Sequence, residues 1–78
     1  MAFSLALKDL VRLRLEETHA QIADFEQKYG MSFRAFENAW KSGEIPDAHS
    51  WTVEQDYLAW EAAITDAAAL EEVAAWLV

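Results

Sequence analysis

The chain has 78 residues, the length of one small domain, and with 54% apolar and 26% charged residues its composition is that of a folded protein. It contains no cysteine, which excludes a disulfide framework, a thiol nucleophile and any Cys-ligated metal site. Two glycines and one proline provide too few turn signals for a β-sandwich or a β-barrel.

The net charge of −8 is unevenly distributed along the chain. All six Lys and Arg residues fall within residues 1–41, where six acids balance them, whereas residues 42–78 carry eight acids and no base. Because nucleic-acid binding depends on Lys and Arg, this balance disfavours DNA or RNA as the main partner. Two interpretations of the acidic half stay open: it keeps the protein soluble, or it attracts a basic partner.

The distribution of apolar residues also bears on location. No apolar run is long enough to span a bilayer, so we expect no membrane partner. Residues 1–15 lack a long apolar run followed by a small-residue cleavage site, and we therefore expect a cytoplasmic protein.

The first predicted helix begins with Ser4 as its cap and ends near Tyr29, with Gly30 in the left-handed position that follows. Apolar and small residues recur along it at spacings of three and four, which predicts one buried face. These residues are Val11, Leu15, Thr18, Ile22, Phe25 and Tyr29.

A second apolar face lies on the same helix, roughly 100° away around the axis. It contains Leu10 and Leu13, together with Phe3 and Ala6. One face serves the core of the chain, so we predict that Phe3, Leu10 and Leu13 mediate self-association.

The second predicted helix is short. Ser32 caps it, it runs from Phe33 to about Lys41, and Gly43 closes it. The segment 44–50 is the one clear loop, and we expect Ile45 to attach it to the core.

For the third helix, the segment Thr52–Gln55 fits a capping box. The apolar stripe that follows shifts around the helix beyond Asp66. Either the helix kinks near Thr65–Asp66, or its C-terminal part faces a different neighbour. The stripe consists of Val53, Tyr57, Trp60, Ile64 and Ala67/Ala68, followed by Leu70, Val73, Ala74 and Leu77.

The lengths of these helices predict the architecture. Two helices of about 26 residues are each roughly 39 Å long, whereas a compact chain of this size has a diameter of about 30 Å. We therefore predict an all-α single domain over residues 1–78, an elongated antiparallel helical hairpin with the short helix across its bend. Because such a shape buries little surface per residue, we also predict a homo-oligomer, most simply a dimer.

Candidate catalytic and metal-binding residues are few. His19 and His49 are the only histidines, and neither occurs in a metal-ligand spacing. The sequence has no Gly-x-Ser-x-Gly turn and no glycine-rich phosphate loop. We expect no catalytic residue, no metal and no cofactor, and hence a protein that is not an enzyme.

Tryptophan is frequent, with four residues in the chain. Trp40 and Trp60 fit the core stripes, whereas Trp51 and Trp76 fall outside them. Because tryptophan is enriched at binding hot spots, Trp51 and Trp76 are the better candidates for contacts between chains.

The stretch Tyr29–Ile64 combines Tyr-Gly-Met-Ser-Phe, a later glycine, and an acidic residue before Tyr-x-x-Trp. In this chain the pattern is carried by 29–33, Phe36, Glu37, 42–44 and 56–62. This pattern resembles that of short prokaryotic antitoxin-type proteins encoded beside small toxins.

The resemblance implies that the protein neutralises a partner toxin by covering its basic site. Glu54, Asp56 and Glu61 with Trp51 and Trp76 are then the candidate partner-binding residues. No DNA-binding module is recognisable, unlike in many antitoxins.

Two alternatives stay open. The chain could be a self-assembling structural or adaptor subunit of a larger complex. It could also be a nucleic-acid-associated regulator that uses Lys8, Arg12 and Arg14 of two paired chains.

Overall fold

The computed structural model describes the backbone of residues 2–77 and the side chains of residues 6–77. Its three α-helices are α1 (Ala2–Tyr29), α2 (Phe33–Lys41) and α3 (Trp51–Trp76). The helices α1 and α3 pack side by side in opposite directions, and α2 packs against α3 at the bend. The predicted all-α hairpin of long, short and long helices is confirmed, and its dimensions of 52 × 18 × 17 Å show the elongated shape.

Three of the predicted helix ends are confirmed. Gly30 follows α1 with a φ of 68°, a left-handed conformation that glycine adopts without steric cost. The Ser32 hydroxyl caps α2 by accepting a hydrogen bond from the Ala35 amide at 3.2 Å. Gly43 follows α2 with a φ of 74°.

The predicted start of α3 is wrong by two residues. Its cap is Ser50, whose hydroxyl accepts a hydrogen bond from the Val53 amide at 3.3 Å, so Thr52 lies inside the first turn. The loop explains the earlier start. Asp47 has a positive φ of 55°, and its carbonyl accepts a hydrogen bond from the Ser50 amide at 2.8 Å, so the turn itself positions Ser50 as the cap.

The predicted start of α1 is also wrong. The helix begins at Ala2, so Ser4 lies within its first turn and does not precede it. Alanine and leucine are strong helix formers, and they dominate this segment, which accounts for helix on both sides of Ser4. The side chains of Ser4 and Phe3 lie outside the part of the chain whose side chains are described.

The core is concentrated at one end of the rod, which we call the closed end because α2 covers it. Phe36 and Trp60 are fully buried there. Ile45 is 9% exposed and packs in the same cluster, which confirms the prediction that it attaches the loop to the core. The Trp60 ring lies 5.1 Å from the Phe36 ring and stacks on Phe25 at 5.4 Å, measured between ring centroids. We call the full set of packed rings the aromatic cluster: Phe25, Tyr29, Phe33, Phe36, Trp40, Tyr57 and Trp60.

We call the opposite end of the rod the open end. Between the closed end and the open end, smaller side chains make the contact between α1 and α3. Val11 and Thr18 are buried on α1, and Ala63 and Ala67 are buried on α3. The predicted core residue Ile64 is instead 37% exposed. With Ala63 in its place the inward-facing residues keep spacings of three and four to the end of the helix. The predicted shift of the stripe therefore disappears, and α3 is one continuous helix.

Candidate protein-binding surface

The outward face of α3 carries a row of large exposed apolar side chains. Trp51, Leu58, Val73 and Trp76 are 74%, 57%, 43% and 83% exposed. At 3.6 residues per turn these four positions lie within about 60° of one another around the helix axis, opposite the face that packs on α1. We call them the outer stripe.

One edge of the outer stripe is acidic. Glu54, Glu61 and Glu72 are exposed, and their spacings of seven and eleven residues place them on the same side of α3. We call these three residues the acidic edge. Since α3 has no Lys or Arg, no base of the same helix neutralises it.

The structure therefore places four of the five predicted partner-binding residues on the same side of α3, with Trp51 and Trp76 at its two ends. Trp51 and Trp76 belong to the outer stripe, and Glu54 and Glu61 belong to the acidic edge. The fifth, Asp56, lies on the other side of α3.

Asp56 connects the two long helices. Its side chain is 17% exposed, and its carboxylate accepts hydrogen bonds from the Lys28 ammonium at 2.6 Å and from the Tyr29 hydroxyl. Burial raises the pKa of Asp56, but the hydrogen bonds from Lys28 and Tyr29 and the charge of Lys28 outweigh it, so the pKa lies below its ordinary value. Burial and the neighbouring carboxylate raise the pKa of Tyr29 to about 12. Asp56 thus stabilises the hairpin in this structure.

A groove of about 440 Å³ opens between the end of α2 and the start of α3. It is continuous with the outer stripe because Leu58 lines it, and Glu54 brings the acidic edge to its rim. The hydroxyl of Tyr57, one of the lining residues, donates a hydrogen bond to Glu37 at 2.8 Å. This bond, burial and the charges of Glu37 and Glu61 together raise the pKa of Tyr57 to about 12. The groove is lined by Trp40, Lys41, Glu54, Gln55, Tyr57 and Leu58.

Sequence reasoning missed Leu58, Val73 and the groove. A signal for Leu58 was present, since it follows Trp51 by seven residues and therefore shares its helix face. Val73 was assigned to the core, because the stripe was followed through Ile64 instead of Ala63.

The open end has a second exposed apolar surface, on α1. Leu7, Leu10 and Leu13 are 38%, 58% and 48% exposed. The exposure of Leu10 and Leu13 agrees with their placement on a second face of the helix. The third predicted self-association residue, Phe3, lies outside the residues whose side chains are described.

The charged residues of this part of α1 partly pair with one another. The Arg12 guanidinium lies 3.1 Å from the Glu16 carboxylate and 3.7 Å from that of Asp9. Lys8 and Arg12 also line a shallow cleft of about 210 Å³ between α1 and the end of α3.

The two histidines are placed as separate surface residues. His19 Nε2 lies 3.1 Å from the Glu71 carboxylate across the hairpin, and the His49 ring faces the edge of Trp40. Among residues 6–77, no three His, Asp or Glu side chains form a group that could hold a metal ion.

None of the described helices combines the length and the apolar character that crossing a membrane requires. Comparison with known protein families, curated proteins and solved structures finds no match. The surface of the molecule is therefore the basis for assigning a function.

Proposed function

We propose that this chain is a non-catalytic protein-binding module that neutralises a basic partner by occlusion, as an antitoxin does with its toxin. The observation that carries the proposal is the outer stripe beside the acidic edge. Groups of large exposed apolar side chains that are rimmed by polar residues are typical of interaction sites.

The chemistry of the surface fits a basic protein partner. Exposed tryptophans such as Trp51 and Trp76 supply large contact areas of the kind found at hot spots. The acids along the edge attract Lys and Arg and increase the rate of association. The surface follows α3 for about 37 Å, long enough to cover a cationic site on a small protein.

The resemblance to antitoxins supports the class of protein, while the structure gives its residues a different role. Tyr29, Phe33, Phe36, Tyr57 and Trp60 all belong to the aromatic cluster, so most of the shared pattern builds the closed end. The pattern would then define the fold of such a protein, and the outer stripe would provide the contact with the partner.

Co-expression with the product of the neighbouring open reading frame tests the proposal. We expect a complex that co-purifies and a neighbour whose toxicity in growing cells is suppressed. Trp51→Ala combined with Trp76→Ala should weaken the complex about a thousandfold, because hot-spot tryptophans contribute about 2 kcal/mol or more each and every 1.4 kcal/mol is a factor of ten in Kd.

The matched control is Leu10→Ala combined with Leu13→Ala, which removes exposed apolar side chains from α1 instead. It should leave the complex intact. A neighbour that neither binds the chain nor is neutralised by it would refute the proposal.

A second candidate function is that of a self-assembling structural or adaptor subunit. The observation that favours it is the exposure of Leu10 and Leu13 on α1, away from the outer stripe. Such a subunit would form a particle heavier than one chain.

A further inference from the structure

The profile of the outer stripe along α3 is concave. Its large side chains stand near the two ends of the helix, as Trp51 and Leu58 on one side and Val73 and Trp76 on the other. Between them the same face carries only small exposed residues: Ala62, Thr65 and Ala69. Small side chains leave space opposite them. This profile therefore accepts a helix whose largest side chains lie in its middle.

Most of the charge beside the stripe lies along one edge. Glu54, Glu61 and Glu72 flank one edge over most of its length, whereas Gln55 and Asp66 are the polar residues on the other. A partner that matches this pattern has an apolar face with cations concentrated along one side of it.

A second copy of the chain matches this charge pattern poorly. The helix α1 carries four bases and five acids, and Arg12 already pairs with Asp9 and Glu16. The helix α3 carries six acids and no base. Over its full length, either long helix of a second copy would therefore bring net negative charge to the acidic edge, which charge repulsion disfavours.

We infer that the outer stripe binds a basic amphipathic α-helix of the partner, which lies along α3 with its Lys and Arg side chains against the acidic edge. A helix of about 25 residues spans the stripe. Its large apolar side chains fit over Ala62 and Ala69, between the flanking tryptophans. This inference rests on the proposed function and specifies the element of the partner that the surface recognises.

Two synthetic peptides of about 25 residues test the inference. Both carry the same apolar stripe of leucine and alanine; one has Lys and Arg beside it and the other has Glu at those positions. Each is titrated into the full chain by calorimetry, and helix formation is followed by circular dichroism. We expect the basic peptide to bind and become helical, and the acidic peptide not to bind.

Charge reversals on the protein locate the binding site. Glu54→Lys with Glu61→Lys should weaken binding of the basic peptide at least about tenfold, since both substitutions place cations opposite its cations. The matched control, Glu17→Lys with Glu26→Lys, makes the same change in net charge on exposed positions of α1 and should weaken binding much less.

Leu58→Ser tests the apolar part of the stripe without changing the charge and should also abolish most of the binding. Equal losses with the two double charge reversals would overturn the inference, because binding would then depend on net charge alone. Binding of the acidic peptide with similar affinity would overturn it as well.

Failure of the inference is distinguishable from failure of the proposed function. If the neighbouring gene product forms its complex while the basic peptide does not bind, the inference is wrong and the proposed function stands. If the peptide binds at the stripe but the neighbour neither binds nor is neutralised, the site recognises a helix and the antitoxin-like role is wrong.

Discussion

At the scale of single residues, Asp56 joins the two long helices through two hydrogen bonds. Its carboxylate accepts hydrogen bonds from Lys28 and Tyr29 on α1, so three side chains join the two long helices beside the aromatic cluster. Removing the carboxylate leaves the half-buried Tyr29 hydroxyl without its acceptor. The cost of such an unsatisfied group exceeds the net gain of an ordinary hydrogen bond.

We predict that Asp56→Ala lowers the free energy of unfolding by about 1–3 kcal/mol at neutral pH. Asp66→Ala is the matched control, since it makes the same substitution at an exposed position of α3 and should change stability by less than about 0.5 kcal/mol. Urea denaturation followed by circular dichroism measures both. Equal effects of the two substitutions would contradict the structural role of Asp56.

The same contact predicts a dependence on pH. The pKa of Asp56 is lower in the folded protein than in the unfolded chain, so its contribution is complete above the ordinary carboxyl pKa. It is lost as the pH falls through the lowered value. The stability difference between the wild type and Asp56→Ala should therefore shrink in acid, and a constant difference would show that the charge of Asp56 is irrelevant.

Residue burial was predictable for the tryptophans and not for Asp56. The periodicity of the helices placed Trp40 and Trp60 inward and left Trp51 and Trp76 off the core stripes, as the structure shows. An acidic residue in such a pattern is assigned to the solvent. Its partner Lys28 lies 28 positions away, and only the register of α1 against α3 brings the two together.

At the scale of elements, the caps decide where each helix begins. Ser50 and Thr52 are both residues that can cap a helix, and the sequence alone favoured Thr52 because Gln55 completes a capping box. The turn at Asp47 determines the outcome, and its left-handed backbone is a property of the folded loop.

We predict that Ser50→Ala destabilises the protein by about 1 kcal/mol, the usual cost of removing a capping hydroxyl. Thr52→Ala should be nearly neutral, because that residue lies in the first turn and alanine is the better helix former. The two variants are compared by thermal and urea denaturation. A larger loss from Thr52→Ala would place the cap where the sequence first suggested.

The surface of α3 was harder to predict than its existence as a helix. Alanine occurs on all sides of this helix, so apolar periodicity does not distinguish Ala63, which is buried, from Ala62, which is exposed. The outer stripe becomes visible only after the inward face is known.

At the scale of the whole molecule, the lengths of the helices predicted the rod, because two helices of that size exceed the diameter of a compact chain. The radius of gyration of 15.4 Å agrees with this shape. The partner was less predictable. An exposed apolar face does not by itself identify what binds there, and its charge and shape have to be compared with those of each candidate partner.

Self-association through α1 is a prediction about the whole particle. If the second candidate function is right, light scattering at micromolar protein gives a mass above that of one chain, and Leu10→Glu or Leu13→Glu restores the monomer mass. Ala23→Glu, at an exposed position on another side of α1, is the matched control and should leave the mass unchanged. A monomer mass that is independent of concentration in the wild type would refute self-assembly.

The arrangement of charge across the rod has a consequence for how a partner arrives. The helix α3 carries six acids and no base along one long side, and α1 on the other side is nearly neutral. Negative charge is therefore concentrated on the α3 side of the 52 Å rod. A cationic partner is attracted to that side from a distance, which increases the rate at which it meets the rod in the right orientation.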